Sequence, residues 1–404
     1  MTTRRGFLAL AGGLALAGCT RRVHADPVLP DARLIDTVLV DTDAGLALVR
    51  GSGAVVLGTG LPTLGGTAIW TTADGVLRRV EAASGQVSAQ AKLPGQWVPR
   101  AAAPDDARVA LAAPGGDRYR PLGRATTTIL IAAADGVQHR LELPGNYEPD
   151  AFAREGTGLF VLEWLPPAAP DRYRVRLVDL ASGKFTEMLT REKQPVPLGT
   201  EEQMRGLGRQ AVYAPGGQTV YTLYTQQSGA ARVEDGWHTE SAGFVHTLDT
   251  TVGWAYCLDL PDPFGKGPNE AHTIALTPSG RQLLVADLST GHLAVADTEN
   301  LKVTGVVGIP RGTGTAYSTV DGARLYLGVG PEVHVVDLMR LEPVARWAVQ
   351  DEVRGLALSA DGTRLLVGYR GGIGWRDAIQ GTASGRVPIP GAIELHQCYG
   401  APKG

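Results

Sequence analysis

The chain has 404 residues, of which 53 are glycine and 20% are charged, and its formal net charge at pH 7 is −3. This weakly acidic balance lacks the basic face that nucleic-acid binding requires, so nucleic acid is excluded as a partner. No sustained apolar period of about 3.6 residues follows the N-terminal segment, which indicates an all-β domain.

The N-terminal segment predicts export. Arg4 and Arg5 precede an apolar run at 7–17 that is too short to span a bilayer, and Leu-Ala-Gly-Cys follows at 16–19. The arginine pair before Gly-Phe-Leu resembles a twin-arginine signal, and Leu-Ala-Gly-Cys resembles the lipobox of bacterial lipoproteins. These resemblances imply cleavage before Cys19 and lipidation of its thiol. The alternative is an ordinary secretory signal in which Cys19 has no special role.

A β-hairpin recurs along the rest of the chain. Residues 275–288 (ALTPSGRQLLVADL), 316–330 (AYSTVDGARLYLGVG) and 356–370 (LALSADGTRLLVGYR) each join two apolar strands through a tight turn that contains glycine. Weaker copies precede them, and the seven turn positions, spaced by 40, 50, 61, 63, 42 and 40 residues, are Gly66, Asp106, Gly156, Gly217, Gly280, Gly322 and Gly362. About forty residues make four short strands, which is one blade of a propeller.

The repeats predict an all-β fold, a seven-bladed β-propeller of four-stranded antiparallel blades. The pattern resembles YVTN-type and WD-repeat-like propellers, although the name-giving tetrapeptide and a Trp-Asp dipeptide are absent. Residues 34–50 form a further hairpin, and 391–398 lie where another inner strand would begin. The alternative is therefore eight blades, the last made of N- and C-terminal strands.

The predicted organisation follows from the signal and the repeats. It consists of a signal peptide over 1–18, a lipidated tether over 19–31, the propeller over 32–398 and a C-terminal tail over 399–404. We expect an exported monomer that a lipid on Cys19 anchors to the cell membrane, outside the cytoplasm.

The remaining cysteines and the histidines offer no strong chemical motif. Cys257 and Cys398 could pair in an exported protein, or remain two buried thiols, which their places on different blades favour. The eight histidines are scattered, without a His-Glu-x-x-His motif or paired cysteines. No metal and no cofactor are therefore predicted.

Four insertions are predicted to rise from one face of the propeller. Residues 114–125, 165–172 and 225–242 follow second strands, and 191–208 joins the third blade to the fourth. They carry or directly flank side chains that are typical of recognition surfaces: Arg118, Tyr119, Arg120, Trp164, Arg172, Tyr173, Trp237 and His238. The alternative is that these side chains only pack on the blades beneath them.

A second set of candidates comes from the repeat register. Eight residues before their turn positions stand Glu148, Arg209, His272 and Arg354, which should converge at the mouth of the central channel. Two arginines and a histidine could bind a carboxylate or phosphate there. The alternative is a set of ion pairs that seals the channel.

Two functions from different classes fit these observations. The first, which the missing catalytic motifs favour, is a binding or scaffold module whose insertion face takes a protein, a glycan or a small anionic ligand. The second is an enzyme at the channel mouth, a lactonase-like hydrolase or a quinone-dependent dehydrogenase. In that case His272 would be the general base, and Arg209 and Arg354 would hold an anionic group. This second reading rests on similarity of fold.

Overall fold

The computed structural model describes residues 31–227, 230–233, 236–239 and 241–400. Of residues 230–233 and 236–239 it describes only the backbone. Within these ranges every regular element is a β-strand except one 3-10 turn, Asn269–Ala271. None of the described segments forms a helix long and apolar enough to cross a membrane. Arg4, Arg5 and Cys19, on which the export prediction depends, lie outside the described residues.

The sheet at the start of the chain also contains the last strand. Its strands are β1 (Leu34–Thr42), β2 (Gly45–Gly51), β3 (Gly53–Pro62), β4 (Ala68–Ala73), β5 (Val76–Glu81), β6 (Val87–Lys92) and, from the far end of the chain, β35 (Ala392–Tyr399). The strand order is β35-β1-β2-β3-β4-β5-β6. β3 changes partner along its length, because residues 53–58 pair with β2 and residues 59–62 pair with β4. The sheet therefore consists of two four-stranded units that share β3.

Five further sheets contain four antiparallel strands each, in chain order. They are β7 (Val98–Ala102), β8 (Arg108–Ala112), β9 (Thr126–Ala133) and β10 (Gly136–Pro144); β11 (Asn146–Phe152), β12 (Gly158–Leu165), β13 (Arg172–Asp179) and β14 (Phe185–Thr186); β23 (His272–Leu276), β24 (Gln282–Asp287), β25 (His292–Asp297) and β26 (Lys302–Gly308); β27 (Tyr317–Val320), β28 (Arg324–Val329), β29 (Glu332–Asp337) and β30 (Glu342–Ala348); β31 (Leu356–Leu358), β32 (Arg364–Tyr369), β33 (Gly372–Asp377) and β34 (Ala383–Pro388).

The remaining sheet has six strands in the order β16-β15-β22-β21-β18-β17, and a small hairpin, β19-β20, stands beside it. Its strands and those of the hairpin are β15 (Met188–Leu189), β16 (Pro195–Val196), β17 (Leu207–Tyr213), β18 (Thr219–Thr225), β19 (Ala230–Val233), β20 (Gly236–Thr239), β21 (Phe244–Asp249) and β22 (Trp254–Asp259). The antiparallel core β17-β18-β21-β22 repeats the four-stranded pattern, and β15 and β16 extend its outer edge.

The tight turns explain why these hairpins form. Six of the seven turn positions predicted from the sequence have φ between 57° and 73°, a region that glycine enters without strain and that aspartate tolerates. Gly322 is the exception, because its φ is not positive. Its turn is held instead by the Asp321 carboxylate, which accepts hydrogen bonds from the backbone N–H groups of Ala323 and Arg324 at 2.6 Å. At Asp106 the carboxylate also accepts a bond from the Thr67 hydroxyl at 2.9 Å, which ties two neighbouring turns together.

Buried side chains fill the space between successive four-stranded units. Each hydrophobic cluster contains side chains from two consecutive units. Near the start of the chain one cluster contains Trp70 and Leu111, and where the two ends meet another contains Leu366 and Val38. Middle strands such as β25 are buried on both faces, whereas the outer strand β26 is only half-buried. The units thus pack face to face in a cycle that returns to its beginning, and this confirms the predicted β-propeller fold.

The two ends of the chain meet in one sheet. β35 pairs antiparallel with β1, with Thr37 opposite Tyr399 and Val38 opposite Cys398. Cys398 is a free thiol in this sheet, whereas Cys257 lies on β22, so the two cysteines are not joined in a disulfide. Strand pairing between the termini closes the propeller.

An ion pair across the β35–β1 contact predicts a pH-dependent contribution to stability. His396 Nε2 lies 2.8 Å from Asp41 Oδ2. The hydrogen bond to His396 lowers the pKa of Asp41 below its ordinary value of 3.8. Burial alone would lower the pKa of His396, but the bond to Asp41 raises it above 6.5. Stabilisation from Asp41 is therefore lost as pH falls through its lowered pKa, and that from His396 is lost as pH rises through its raised pKa.

We expect His396→Gln to lower the thermal midpoint most between about pH 4 and pH 6.5 and progressively less above that range. Both side chains are more than a third exposed, so water screens the pair and the effect is small. Melting curves of the two proteins across pH 3–9 measure the difference, with His139→Gln on β10 as the control. A difference that is constant across pH would contradict this assignment.

Candidate functional site

The insertions gather on one side of the propeller, as the sequence predicts. Loops 113–125 and 166–171 touch where the Arg124 backbone N–H donates to the Pro167 carbonyl at 2.9 Å. Met204, in loop 190–206, exchanges two backbone hydrogen bonds with Tyr173 at 2.8 and 2.9 Å. Gly208 lies against Tyr119 so closely that a Cβ would stand 2.3 Å from its ring. Gln227, at the base of the fourth insertion, lies beside Gly206, because a Cβ at Gly206 would stand 3.5 Å from its backbone nitrogen. We term the surface that these segments form the insertion face.

A pocket of about 560 Å³ opens between three of these loops. It is lined by Tyr119, Trp164 and residues 120–123, 168–171 and 206–207, and the large side chains among these are Tyr119, Leu122 and Trp164. Trp164 is 4% exposed, and its indole Nε1 is buried without a hydrogen-bond partner in the described structure. A mostly apolar concavity with one unsatisfied donor is typical of a small-ligand site. We term it the loop pocket.

An aromatic stack supports the floor of the loop pocket. The Trp164 and Tyr173 rings lie 5.1 Å apart, and Tyr173 stacks on Tyr224 at 4.9 Å. Tyr224 stacks in turn on Phe244 at 5.2 Å, and Tyr119 meets its edge at 5.8 Å. Such pairs stabilise beyond the area they bury. Tyr173 is completely buried, so it supports the pocket from below and does not reach a ligand.

Arg118 points inward from the loop that carries it. Its Nη2 donates to the Asp150 carboxylate, and its guanidinium lies 5.2 Å from the centre of the Tyr119 ring. The Asp150 side chain is only 6% exposed. Arg118 therefore fastens loop 113–125 to the inner strand β11, which is the packing role that the sequence left open as an alternative.

Glu148 is fully buried between two arginines. Arg100 Nε lies 3.3 Å from its carboxylate, and Arg124 Nη2 donates to the other oxygen. Arg124 also donates to the Asn146 side chain at 2.9 Å. Burial raises the pKa of Glu148, and the two guanidinium groups oppose that rise. Glu148 thus anchors the insertion loop through Arg124, and Arg100 on β7 adds an ion pair to its other oxygen.

His272 is held as a structural residue. Its side chain is completely buried, Nδ1 donates to the Pro268 carbonyl at 2.9 Å, and Nε2 accepts from the Gly265 N–H at 3.0 Å. Asp287 Oδ2 lies 3.3 Å from the same Nε2. With both ring nitrogens engaged and no solvent access, the geometry does not favour a general base here.

Arg209 and Arg354 are the two arginines that the sequence predicts at the channel mouth. Arg209 donates to the carbonyls of His272 and Ala316 at 3.1 and 3.0 Å, which ties three successive repeats together. Arg354 pairs with Glu352 at 2.8 Å. Burial and Glu394 raise the pKa of Tyr317, and the positive charges of Arg209 and Arg354 oppose that rise.

Among the candidates from the repeat register, Arg209 contacts the backbone of His272, Arg354 contacts Glu352, and Glu148 belongs to a separate cluster with Arg100 and Arg124. The repeat register did not predict Arg124 or Glu394. Glu394 accepts a hydrogen bond from the Tyr317 hydroxyl at 3.0 Å. Trp237 and His238 lie on β20, and their side chains are outside the described residues.

Comparisons with known proteins bear on the fold. No family model matches the chain, and no curated protein matches its sequence. The structure is similar to AztD from Citrobacter koseri, with 12% identity and a TM-score of 0.58 over 91% of this chain and 98% of that one. It is also similar to dihydro-heme d1 dehydrogenase NirN in complex with DHE, with 13% identity and a TM-score of 0.56 over 93% and 76%. The Dos1 propeller matches at 12% identity and a TM-score of 0.50 over 93% and 94%. At these identities the likeness shows the fold alone, and that fold is a β-propeller.

Proposed function

We propose that this protein is an exported, lipid-anchored β-propeller that binds a ligand in the loop pocket of its insertion face. The observation that carries the proposal is the loop pocket itself, whose lining includes Trp164, an indole whose buried Nε1 has no acceptor among the described residues. A buried donor left unsatisfied costs about 1–3 kcal/mol, so a ligand that supplies an acceptor gains that energy on binding.

The chemistry of the walls narrows the ligand class. Tyr119, Leu122 and Trp164 offer apolar and aromatic surface, and Arg120 adds a positive charge at the rim. We infer a small molecule, or the end of a glycan or peptide, with an apolar face and at least one acceptor. A small anion with an apolar body fits both Arg120 and the indole donor.

Export and anchoring support the same function. Arg4, Arg5 and the Leu-Ala-Gly-Cys sequence that ends at Cys19 would place the propeller outside the cytoplasm on a short lipidated tether. A tethered module that binds a ligand at the cell surface needs no catalytic group.

For the architecture we propose eight blades, the last made of β35, β1, β2 and the first half of β3. Three observations support this number. β3 passes from one four-stranded unit to the next, β35 pairs with β1, and separate hydrophobic clusters lie on either side of the resulting terminal unit.

A thermal-shift screen of neutral sugars, dipeptides, small carboxylates and small phosphates tests which class of compound binds in the loop pocket. At least one class should raise the melting temperature. Trp164→Phe keeps an aromatic ring but removes the donor, and should weaken binding about tenfold. Leu122→Trp should abolish binding, because Leu122 is 67% exposed beside the cavity and a larger ring would occupy it.

Two matched variants serve as controls. Met339→Trp places the same bulky ring at a site that is 88% exposed on another sheet. Trp347→Phe removes an indole from β30. Both should bind as the parent does. No shift with any class, or equal binding by all four variants, would rule out the loop pocket as the binding site.

A further inference from the structure

Sulfur side chains collect in a second pocket, which shares no lining residue with the loop pocket. After Cys19 the chain contains five sulfur side chains: Met188, Met204, Cys257, Met339 and Cys398. The first three line one cavity of about 370 Å³ beside β15 and β22, together with His246. The charged residues on its wall include Arg191 and Glu192. We term this cavity the sulfur pocket.

Two of the sulfur atoms that line the sulfur pocket lie close together. Cys257 Sγ is 3.4 Å from Met204 Sδ. A metal–sulfur bond is about 2.3 Å long, so two sulfurs at this separation can bind the same ion. His246 on β21 stands directly opposite Cys257 on β22, so both side chains project from the same face of the sheet. Met188 and Met204 are each 5% exposed and His246 is 3% exposed.

The types of donor select the kind of ion. Among the described residues no group of three His, Cys, Asp or Glu side chains could hold a metal, so thioether sulfur must complete any coordination here. One carboxylate on the wall, that of Glu201, is engaged by Arg174 and Arg176 at 3.0 and 3.3 Å. Thiolate with thioether ligands selects Cu(I), whereas magnesium and calcium require oxygen donors.

His246 brings an imidazole to the sulfur pocket, where it is buried and stands opposite Cys257. A neutral ring nitrogen offers a lone pair to an ion, and imidazole is a normal copper ligand.

We propose that Cys257, Met204, His246 and Met188 form a binding site for monovalent copper. On binding, the Cys257 thiol releases its proton to solvent and its sulfur bonds to Cu(I), while the thioethers and the imidazole donate lone pairs. No electron is transferred in this step. The site is separate from the loop pocket, so the two can be tested independently.

The test uses the reduced full chain with the substitution Cys19→Ser. The protein is titrated in the absence of oxygen with Cu(I) supplied as its complex with a chromogenic chelator. The protein should remove about one Cu(I) per chain, release about one proton and gain a near-ultraviolet absorption band from the copper–thiolate bond. Cys257→Ser should remove the band. Met204→Leu should weaken binding by at least about tenfold, because even the loss of an outer-shell partner weakens metal sites by that amount.

The controls separate a metal site from a packing role. Met204→Leu conserves side-chain volume, so its melting temperature should stay near that of the parent. Cys398→Ser and Met339→Leu alter the same residue types elsewhere and should leave Cu(I) affinity and the band unchanged. The proposal is overturned if the parent takes up no Cu(I), if Met204→Leu binds as tightly as the parent, or if Cys398→Ser weakens binding as much as Cys257→Ser.

Discussion

Replacing Glu148 with alanine should lower the free energy of unfolding by about 3–5 kcal/mol. The Glu148 carboxylate is completely buried, and it is contacted by Arg100 and Arg124, whose side chains are only 15% and 20% exposed. Removing the carboxylate leaves two partly buried positive charges without compensation. The free energy of unfolding from urea denaturation measures the loss. Glu142→Ala, at an exposed pair with Arg140, is the control and should change it by under about 0.5 kcal/mol.

The same change should release the insertion loop from the propeller. Arg124 and Arg118 fasten loop 113–125 to β11 through Glu148 and Asp150. Without Glu148, trypsin should cleave after Arg118 or Arg124 many times faster than in the parent. A loss of stability below about 1 kcal/mol, with unchanged cleavage, would show that the buried pair does not anchor the loop.

The sequence predicted Glu148 for a reason that the structure supports only in part. The repeat register placed it on an inner strand near the insertion face, and it lies on β11 as expected. The register could not reveal that Arg124 binds it, because Arg124 comes from an irregular loop that has no counterpart in the other repeats. Periodicity locates residues on strands, whereas partners from insertions depend on how each loop folds back.

The fold was largely predictable, because each repeat contains its own turn chemistry. A left-handed residue at Gly280 or Gly362 defines a hairpin without help from distant residues. The shared strand β3 was harder to recognise, since the signal where GAVVLGTGLP changes partner is a single glycine, Gly58 with φ of 88°, inside a continuous strand. The first half of β3 completes a four-stranded unit with β2, β1 and β35, and β35 lies more than three hundred residues away in the chain.

The sulfur pocket shows a second limit of sequence reasoning. Met204 and Cys257 are 53 residues apart, and Met204 lies in an irregular connection. No ligand spacing of a known motif joins them. Only the pairing of β21 with β22 and the path of loop 190–206 bring the donors together.

Closure of the propeller by its last strand predicts a disulfide that one substitution can create. Val38 stands directly opposite Cys398 in the β1–β35 pair, and both pack in the same hydrophobic cluster. Opposed residues in antiparallel strands have Cα atoms about 4.5–5.5 Å apart, within the range that a disulfide spans. In the full chain with Cys19→Ser, Val38→Cys should therefore form a disulfide with Cys398 on mild oxidation. Because it closes a very long loop, it should stabilise the protein by roughly 2–4 kcal/mol.

A peptide mass map of the oxidised Val38→Cys protein is the most direct measurement of this closure. Leu39→Cys is the control, because Leu39 belongs to the hydrophobic cluster on the other side of the terminal sheet from Cys398. A linked peptide containing residues 38 and 398, with a raised melting temperature and no link in the control, is the result that a propeller closed by β35 predicts. Two unlinked thiols at 38 and 398 under oxidising conditions would contradict it.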